Sequence, residues 1–452
     1  MKSAIANQTP TSVPETAKQV GEAQEKWNWV ERTLWTERML TALATGPAGG
    51  KWYSLIDKVI DPRVLKAAFA AVAKNRGSAG IDHVGVKEFR ERLDREIPEL
   101  VKKLRDGTYE PQKIRRVRIP KPGSKEKRPL GIPTIRDRVV QKACVFALEP
   151  IFETAFAATS FGFRPGKSAH DALDRVVGQL KAGHVWVVDA DLKGYFDSIP
   201  HERLLERVGE RISDGRLLEL IRGFMKAGVL EDGETIQPEG GTPQGGVVSP
   251  LLANIYLDEL DHLMVSRGFE MTRYADDLVV MCRTAEGASS ALEAIREWVA
   301  KVGLVLHPTK TRIVNMAEPR SYFDFLGYRY VRNWRDSNKI YEFVRPKSLA
   351  AFRDRVRMFS KRLNGASLKE IIENLNRGMR GWFEYFYRVH AHMLRDLDQW
   401  VRGRLRRILA HRRGRKGFGR GLDDHRRWSN SFFDKLGLFS LAAAQVEMGQ
   451  SS

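Results

Sequence analysis

Cysteine is almost missing from this sequence: Cys144 and Cys282 are the only two among 452 residues. Two thiols so far apart exclude a thiolate zinc cluster and argue against a disulfide framework, so both read as small core residues. There is no apolar run of the roughly 18 residues that a bilayer span requires. The first 25 residues hold no arginine, three glutamates and no apolar stretch. Neither a secretory signal nor a transit peptide is visible there, which predicts a cytoplasmic location. Acid is the scarcer charge, with 56 Asp and Glu against 76 Lys and Arg, a net charge of +20. That imbalance predicts a polyanionic partner.

What is present is enough apolar material, 42% of residues, to bury real cores in two or three domains. The most informative stretch is Thr272-Arg-Tyr-Ala-Asp-Asp-Leu-Val-Val-Met281. Two adjacent carboxylates between short apolar runs read as the tight turn of a β-hairpin. They repel each other unless a cation lies between them, and hard oxygen donors of this kind suit Mg²⁺. A solvated acidic turn fits the pair equally well in isolation; the rest of the chain turns the reading toward a metal site.

In chain order, residues 1 to about 25 are poor in large apolar side chains and predict a disordered tail. Trp27, Val30 and Leu34 follow at helical spacing, and helices are expected at about 55–73 and 86–104. Residues 113–130 alternate apolar and basic before Pro120, Pro122 and Gly123, the pattern of a basic hairpin able to face phosphates. Residues 135–157 read as a buried helix and 168–180 as another. Val185 to Leu192 is a buried strand ending in acid. Period two puts Asp189 and Asp191 on one face, so either is a candidate ligand. Gly240 to Pro250 carries four glycines and two prolines, a backbone that a flat ligand can approach closely. It lacks the Lys-Ser/Thr ending of a Walker loop. Ser321 to Tyr330 reads as a strand pair. Beyond Pro346 the sequence turns helical and basic, with Leu368, Ile371, Leu375, Met379, Trp382, Phe386 and Val389 as a core stripe. Residues 401–416 hold eight Lys or Arg in sixteen, a density typical of nucleic-acid contact.

Asp191-Leu-Lys-Gly-Tyr-Phe-Asp-Ser-Ile-Pro-His201, Gly241-Thr-Pro-Gln-Gly-Gly-Val-Val-Ser-Pro250 and Tyr274-Ala-Asp-Asp277 together resemble consecutive motifs of the reverse transcriptases encoded by group II introns, the maturases. Asn75-Arg-Gly-Ser-Ala-Gly-Ile-Asp82, Arg128-Pro-Leu-Gly-Ile-Pro133, Phe161-Gly-Phe-Arg-Pro-Gly166, Phe325-Leu-Gly-Tyr328 and Leu375-Asn-Arg-Gly-Met-Arg-Gly-Trp-Phe383 resemble the family's other blocks, in its order.

The resemblance covers about 75 to 410 and implies an α+β right-hand polymerase with a helical thumb, the maturase domain X. The implied division is an N-terminal extension (1–50, partly disordered), an N-terminal block with fingers (51–185), palm (186–340), thumb (345–413) and a basic tail (414–452). It implies Asp191, Asp276 and Asp277 as catalytic acids holding Mg²⁺, which ranks Asp191 above Asp189. It implies Lys121 and Arg128 at the triphosphate, Gln244 beside the nucleotide and Phe196 against the sugar. The expected activity is RNA-directed DNA synthesis with assistance to splicing and target-primed mobility. Expected partners are intron RNA, an RNA template with a DNA or RNA primer, dNTPs and, further, target DNA, with no membrane. The RNA-binding expectation rests on Arg377, Arg380, Arg388, Arg402, Arg404, Arg406, Arg407, Arg412 and Arg413, with Arg415 and Lys416 beside them. The sequence resembles a form without the HNH nuclease that many relatives carry. A splicing cofactor with little polymerase activity, or a reverse transcriptase domesticated for defence or repair, are the competing readings.

Overall fold

The computed structural model describes residues 26–46, 50–120, 127–237, 240–333, 336, 339–361, 365–414 and 421–450. Its strands are β1 (Ile114–Pro120), β2 (Lys127–Ile132), β3 (Trp186–Asp191), β4 (Val229–Glu231), β5 (Glu234–Ile236), β6 (Glu270–Tyr274), β7 (Asp277–Cys282), β8 (Arg312–Asn315), β9 (Tyr322–Phe325), β10 (Tyr328–Arg332) and β11 (Ile340–Val344). They form a central sheet in the order β6-β7-β3-β8, an N-terminal sheet β2-β1-β4-β5 and a small sheet β9-β10-β11. With helices around all three, the fold class is α+β, as expected.

The central sheet is antiparallel throughout, and its pleat sorts side chains into two separate cores. Val188 and Val280 face each other across β3 and β7, as do Ala190 and Leu278. These pack into a core with the helices Ile135–Glu153, Ser249–Ser266 and Ala285–Lys301. Val187, Val279 and Met281 point the other way, into a core with Phe323, Phe325, Tyr328, Tyr330 and the C-terminal helices. Asp189, Asp191 and Asp277 belong to this second face by the same alternation. The sheet therefore ends in acid on the side where the C-terminal helices lie.

Two expected helices are each divided. The stretch 55–73 splits into Ile56–Val59 and Pro62–Lys74. Pro62 has no N–H to continue the first helix but suits the first turn of the second, and Asp61 caps that turn by accepting from the Arg63 N–H at 2.8 Å. The stretch 86–104 divides near Arg92 into Val86–Glu91 and Leu93–Asp106.

Residues 1–25, read as a disordered tail, lie outside the described residues. Trp27 and Trp35 are buried, and the Trp35 indole donates to the Phe146 carbonyl at 2.7 Å, clasping the helix Ile135–Glu153. After the helices Pro346–Phe359, Leu368–Phe386 and Ala391–Arg412, residues 421–450 return as three more helices. Trp428, Phe433, Leu438 and Leu441 enter the second core. Buried Asp398 fixes the last helix, accepting from Leu441 N–H at 3.0 Å and Ala442 N–H at 3.1 Å. Residues 421–450 of the stretch read as a basic tail are thus packed as part of the C-terminal helical layer, and 415–420 lie outside the described residues.

Candidate active site

The Asp276-Asp277 turn is a two-residue hairpin loop, since Tyr274 pairs directly with Asp277. Ala275 takes a left-handed conformation, φ 58°, which costs a residue with a Cβ about 1–2 kcal/mol. Surrounding contacts hold it there. The Arg273 guanidinium, fully buried, donates to the Ala275 carbonyl at 2.9 Å and to Asn254 Oδ1 at 2.9 Å. Asp261, equally buried, neutralises it through paired hydrogen bonds, one of them at 2.8 Å. Asn254 in turn donates to the Gly162 carbonyl at 2.7 Å. A Cβ on Gly162 would meet the Ala275 nitrogen at 2.3 Å, so glycine is required for the loop to lie against the turn.

Register then brings the third acid in. Asp191 is the direct partner of Asp277 across β3 and β7, and Asp189 is one pleat further back, opposite Val279. The two strand acids differ in company. Asp189 accepts from Arg312 Nε at 3.2 Å. Asp191 accepts from the exposed Lys310 ammonium at 2.8 Å. Asp277 has the Leu326 N–H at 3.5 Å. Burial pushes its carboxyl up to about 7, reinforced by the Asp189 and Asp276 charges. Burial, with the Asp191 charge beside it, raises Asp276 as well.

Among the described residues, no group of three or more His, Cys, Asp or Glu side chains closes around a point that would hold a metal ion. The donor set nevertheless has the chemistry of one: hard oxygens on one sheet end, two of them held away from ionisation by burial and like charge. A divalent cation would relieve both effects. The residues therefore fit a metal without being closed around it.

The Gly-rich loop spans two parts of the molecule. The Thr242 N–H donates to the Phe196 carbonyl at 2.6 Å, and Gly241, at φ 89°, lies against the Phe196-Asp197 backbone. At the loop's far end, the Gly131 N–H of β2 donates to the Gln244 carbonyl at 2.6 Å. Phe196, Gln244 and β2, which carries Arg128, are joined by this one loop. Arg128 is exposed on β2, while Lys121 lies outside the described residues. Tyr195, buried beside Phe196, anchors that corner by donating to the Ala253 carbonyl at 2.6 Å.

The C-terminal cations divide into two kinds. Arg377, Arg380, Arg412 and Arg413 are exposed. Arg406 is buried and donates to the Trp428 carbonyl and to Asn430 Oδ1, each at 2.8 Å. Arg388 is held between Asp174 and Glu342, tying the helix Ala169–Lys181 to the C-terminal layer. Arg404 donates to Ser360, and Arg402 faces Asp434 at 3.5 Å. Arg407 is half-buried on the same helix. Arg415 and Lys416 lie outside the described residues. Arg273 is the functional side chain that sequence reasoning missed; its partners lie 12 and 19 positions earlier, on a helix no short motif links to it.

The structure thus sets carboxylates at one end of the central sheet and cations on the helices that follow it in the chain. Residues 119–330 match the family described as reverse transcriptase (RNA-dependent DNA polymerase), and residues 349–428 match the group II intron, maturase-specific domain. Protein YkfC of Escherichia coli K12 is 35% identical over 339 residues, 65% of this chain and 87% of that protein. Group II intron-encoded protein LtrA of Lactococcus lactis subsp. cremoris is 39% identical over 223 residues, 49% of this chain and 37% of that protein. An uncharacterized 91 kDa protein in the cob intron of Schizosaccharomyces pombe is 40% identical over 168 residues, 37% of this chain and 21% of its own length. The chain therefore spans well under half of the Lactococcus protein. It belongs to the group II intron reverse transcriptase and maturase family, RNA-directed DNA polymerases joined to a maturase domain. Among the described residues, no helix is long and apolar enough to cross a membrane.

Proposed function

We propose that Asp191, Asp276 and Asp277 are the metal-holding acids of RNA-directed DNA synthesis in this chain, and that its C-terminal helical layer binds the intron RNA whose splicing it assists. On this reading, fingers occupy about 51–185, palm 186–340 and thumb 345–413. The observation that carries it is the register that sets Asp191 opposite Asp277 beside a turn held rigid by Arg273. Bound Mg²⁺ would supply the charge that favours ionisation of a primer 3′-hydroxyl and offsets the charge developing on the leaving pyrophosphate.

The chain's own residues do the rest. Arg273 fixes the Ala275 carbonyl, so the two turn acids keep one geometry without reorganising. Phe196 stands against the sugar of the incoming deoxynucleotide. Gln244, on a loop tied at both ends, bounds the space for the nascent base pair. Arg128 and Lys121 meet the triphosphate. Target-primed mobility and contact with target DNA extend the same reading. The intact acid set favours this over a splicing cofactor with little polymerase activity.

Primer extension on an RNA template tests it. Asp191→Asn, Asp276→Asn and Asp277→Asn should each lose extension, as should the wild type after chelation of divalent ions. Asp189→Asn should retain most of it, because that residue lies one pleat back from the turn, opposite Val279 rather than Asp277. Full extension by Asp277→Asn, or greater loss in Asp189→Asn than in Asp191→Asn, overturns the assignment.

A further inference from the structure

The helix Ala391–Arg412, with His425 and Asn430, lines a half-open cavity of about 830 Å³. Its lining includes Gln399, Trp400, Arg404, Arg407, His425 and Asn430. The volume lies within the range of roughly 300–1,000 Å³ typical of small-ligand sites. Its walls are mostly polar, and the arginines outnumber the acid, Asp396, that also lines it.

Trp400 is half-buried against the core and gathers guanidinium groups around its ring: Arg404 at 5.6 Å, Arg357 at 5.8 Å and Arg353 at 5.9 Å from the centroid. Burial and the neighbouring charges of Arg357 and Arg407 make the Arg404 guanidinium easier to deprotonate than usual, the mark of cations crowded together. Such crowding favours an anion in the vicinity. Asn430 is oriented, because buried Arg406 donates to its Oδ1 at 2.8 Å. Its amide nitrogen is then the side-chain donor left for an acceptor in the cavity. An aromatic ring, planar guanidinium groups, the fixed Asn430 amide and the neighbouring Gln399 amide are what a splayed-out base needs for stacking and edge hydrogen bonds, with its phosphates on arginine. A perfect duplex keeps its bases stacked inside and offers no base face to a ring, only phosphates, 2′-hydroxyls and minor-groove edges.

We propose that this cavity receives one unpaired nucleotide of the bound RNA, its base stacked at Trp400 and hydrogen-bonded by Gln399 and Asn430, its phosphates met by Arg404 and Arg407. This rests on the reading of the C-terminal layer as RNA-binding, and adds that the layer distinguishes a bulge from continuous duplex. Arginine-to-phosphate contacts alone would give no such preference.

The test uses the full chain and two labelled RNA hairpins identical except for a single-nucleotide bulge, the bulged base replaced by 2-aminopurine for the fluorescence arm. Binding is followed by anisotropy, with the same bulged hairpin in DNA as a third probe. Wild type should bind the bulged RNA hairpin about tenfold more tightly than the perfect one, and the 2-aminopurine signal should be quenched. Trp400→Leu should bind the two RNA hairpins equally, with affinity for the perfect one unchanged within about twofold. Trp400→Phe should restore the preference. Equal affinity of wild type for both hairpins, or a preference that survives Trp400→Leu, overturns the proposal while leaving RNA binding by the layer intact. A bulged DNA hairpin bound as tightly as the RNA one overturns its assignment to RNA. Absence of binding to either RNA hairpin at low salt overturns the RNA-binding reading itself.

Discussion

Side chains around the Ala275-Asp276 turn fix its backbone. Gly162 gives the sharpest case, because an added methyl would be driven into the Ala275 backbone. Gly162→Ala is expected to cost about 1–3 kcal/mol, read as a lower urea midpoint, and to lower primer extension further by displacing the acids. An alanine variant with wild-type midpoint and extension would remove the turn from the account. Phe196 supplies a second case. Shortening it to alanine should open space beside the sugar and admit ribonucleotides, measured by competition between a dNTP and its rNTP; unchanged selectivity would count against a steric gate. At this scale the proposed acids were easy to single out, since Tyr274-Ala-Asp-Asp277 and Asp191 stand in short motifs, and the strand register sets Asp191 opposite Asp277. Arg273 was not. Its pairing with Asp261 and Asn254 depends on how a helix lies against β6, which no local pattern encodes.

Among the elements, the helix Ile135–Glu153 carries an acid that stability measurements can read. Burial raises the Glu149 carboxyl to about 6, with Glu153 adding to the shift and Lys142 opposing it. A raised carboxyl favours the protonated folded state, so its ionisation weakens the fold as pH climbs from about 4.5 through 6. Glu149→Gln should therefore match the wild type near pH 4 and exceed it by about 1 kcal/mol at pH 7.5, by urea denaturation at both values. Equal stability at both would mean that the carboxyl is not held in this way. Strand and helix existence followed readily from periodicity: β3, the hairpin of β1 and β2, and the stripe on Leu368–Phe386 all stand where their spacing put them. The segment after the helix Ala391–Arg412 was harder. Residues 421–450 carry scattered aromatics among many charges, and only docking against Asp398 and the second core gives them a place.

In the molecule as a whole, two kinds of physics occupy two regions. On the proposed reading, synthesis depends on carboxylates at one end of the central sheet, whereas affinity for folded RNA accumulates from phosphate contacts spread over the C-terminal layer. Composition made the polyanionic partner legible but could not sort the cations. Arg388 and Arg406 are spent on holding the fold, so their loss should reduce stability as well as binding. Exposed Arg377, Arg380, Arg412 and Arg413 are the better instruments. Their combined change to glutamine should weaken RNA binding at moderate salt and reduce the slope of log affinity against log salt by roughly 0.7 to 0.9 per lost contact.

The most direct measurement compares that quadruple variant with Asp276→Asn in three assays: RNA affinity across a salt series, extension of a short annealed primer at low salt, and splicing of the cognate intron. The account predicts opposite patterns. Asp276→Asn loses extension but keeps RNA affinity and splicing, while the quadruple variant loses affinity and splicing and keeps most of its extension. Loss of all three activities in both variants would contradict the claim that an acidic sheet end and a basic helical layer serve separable functions.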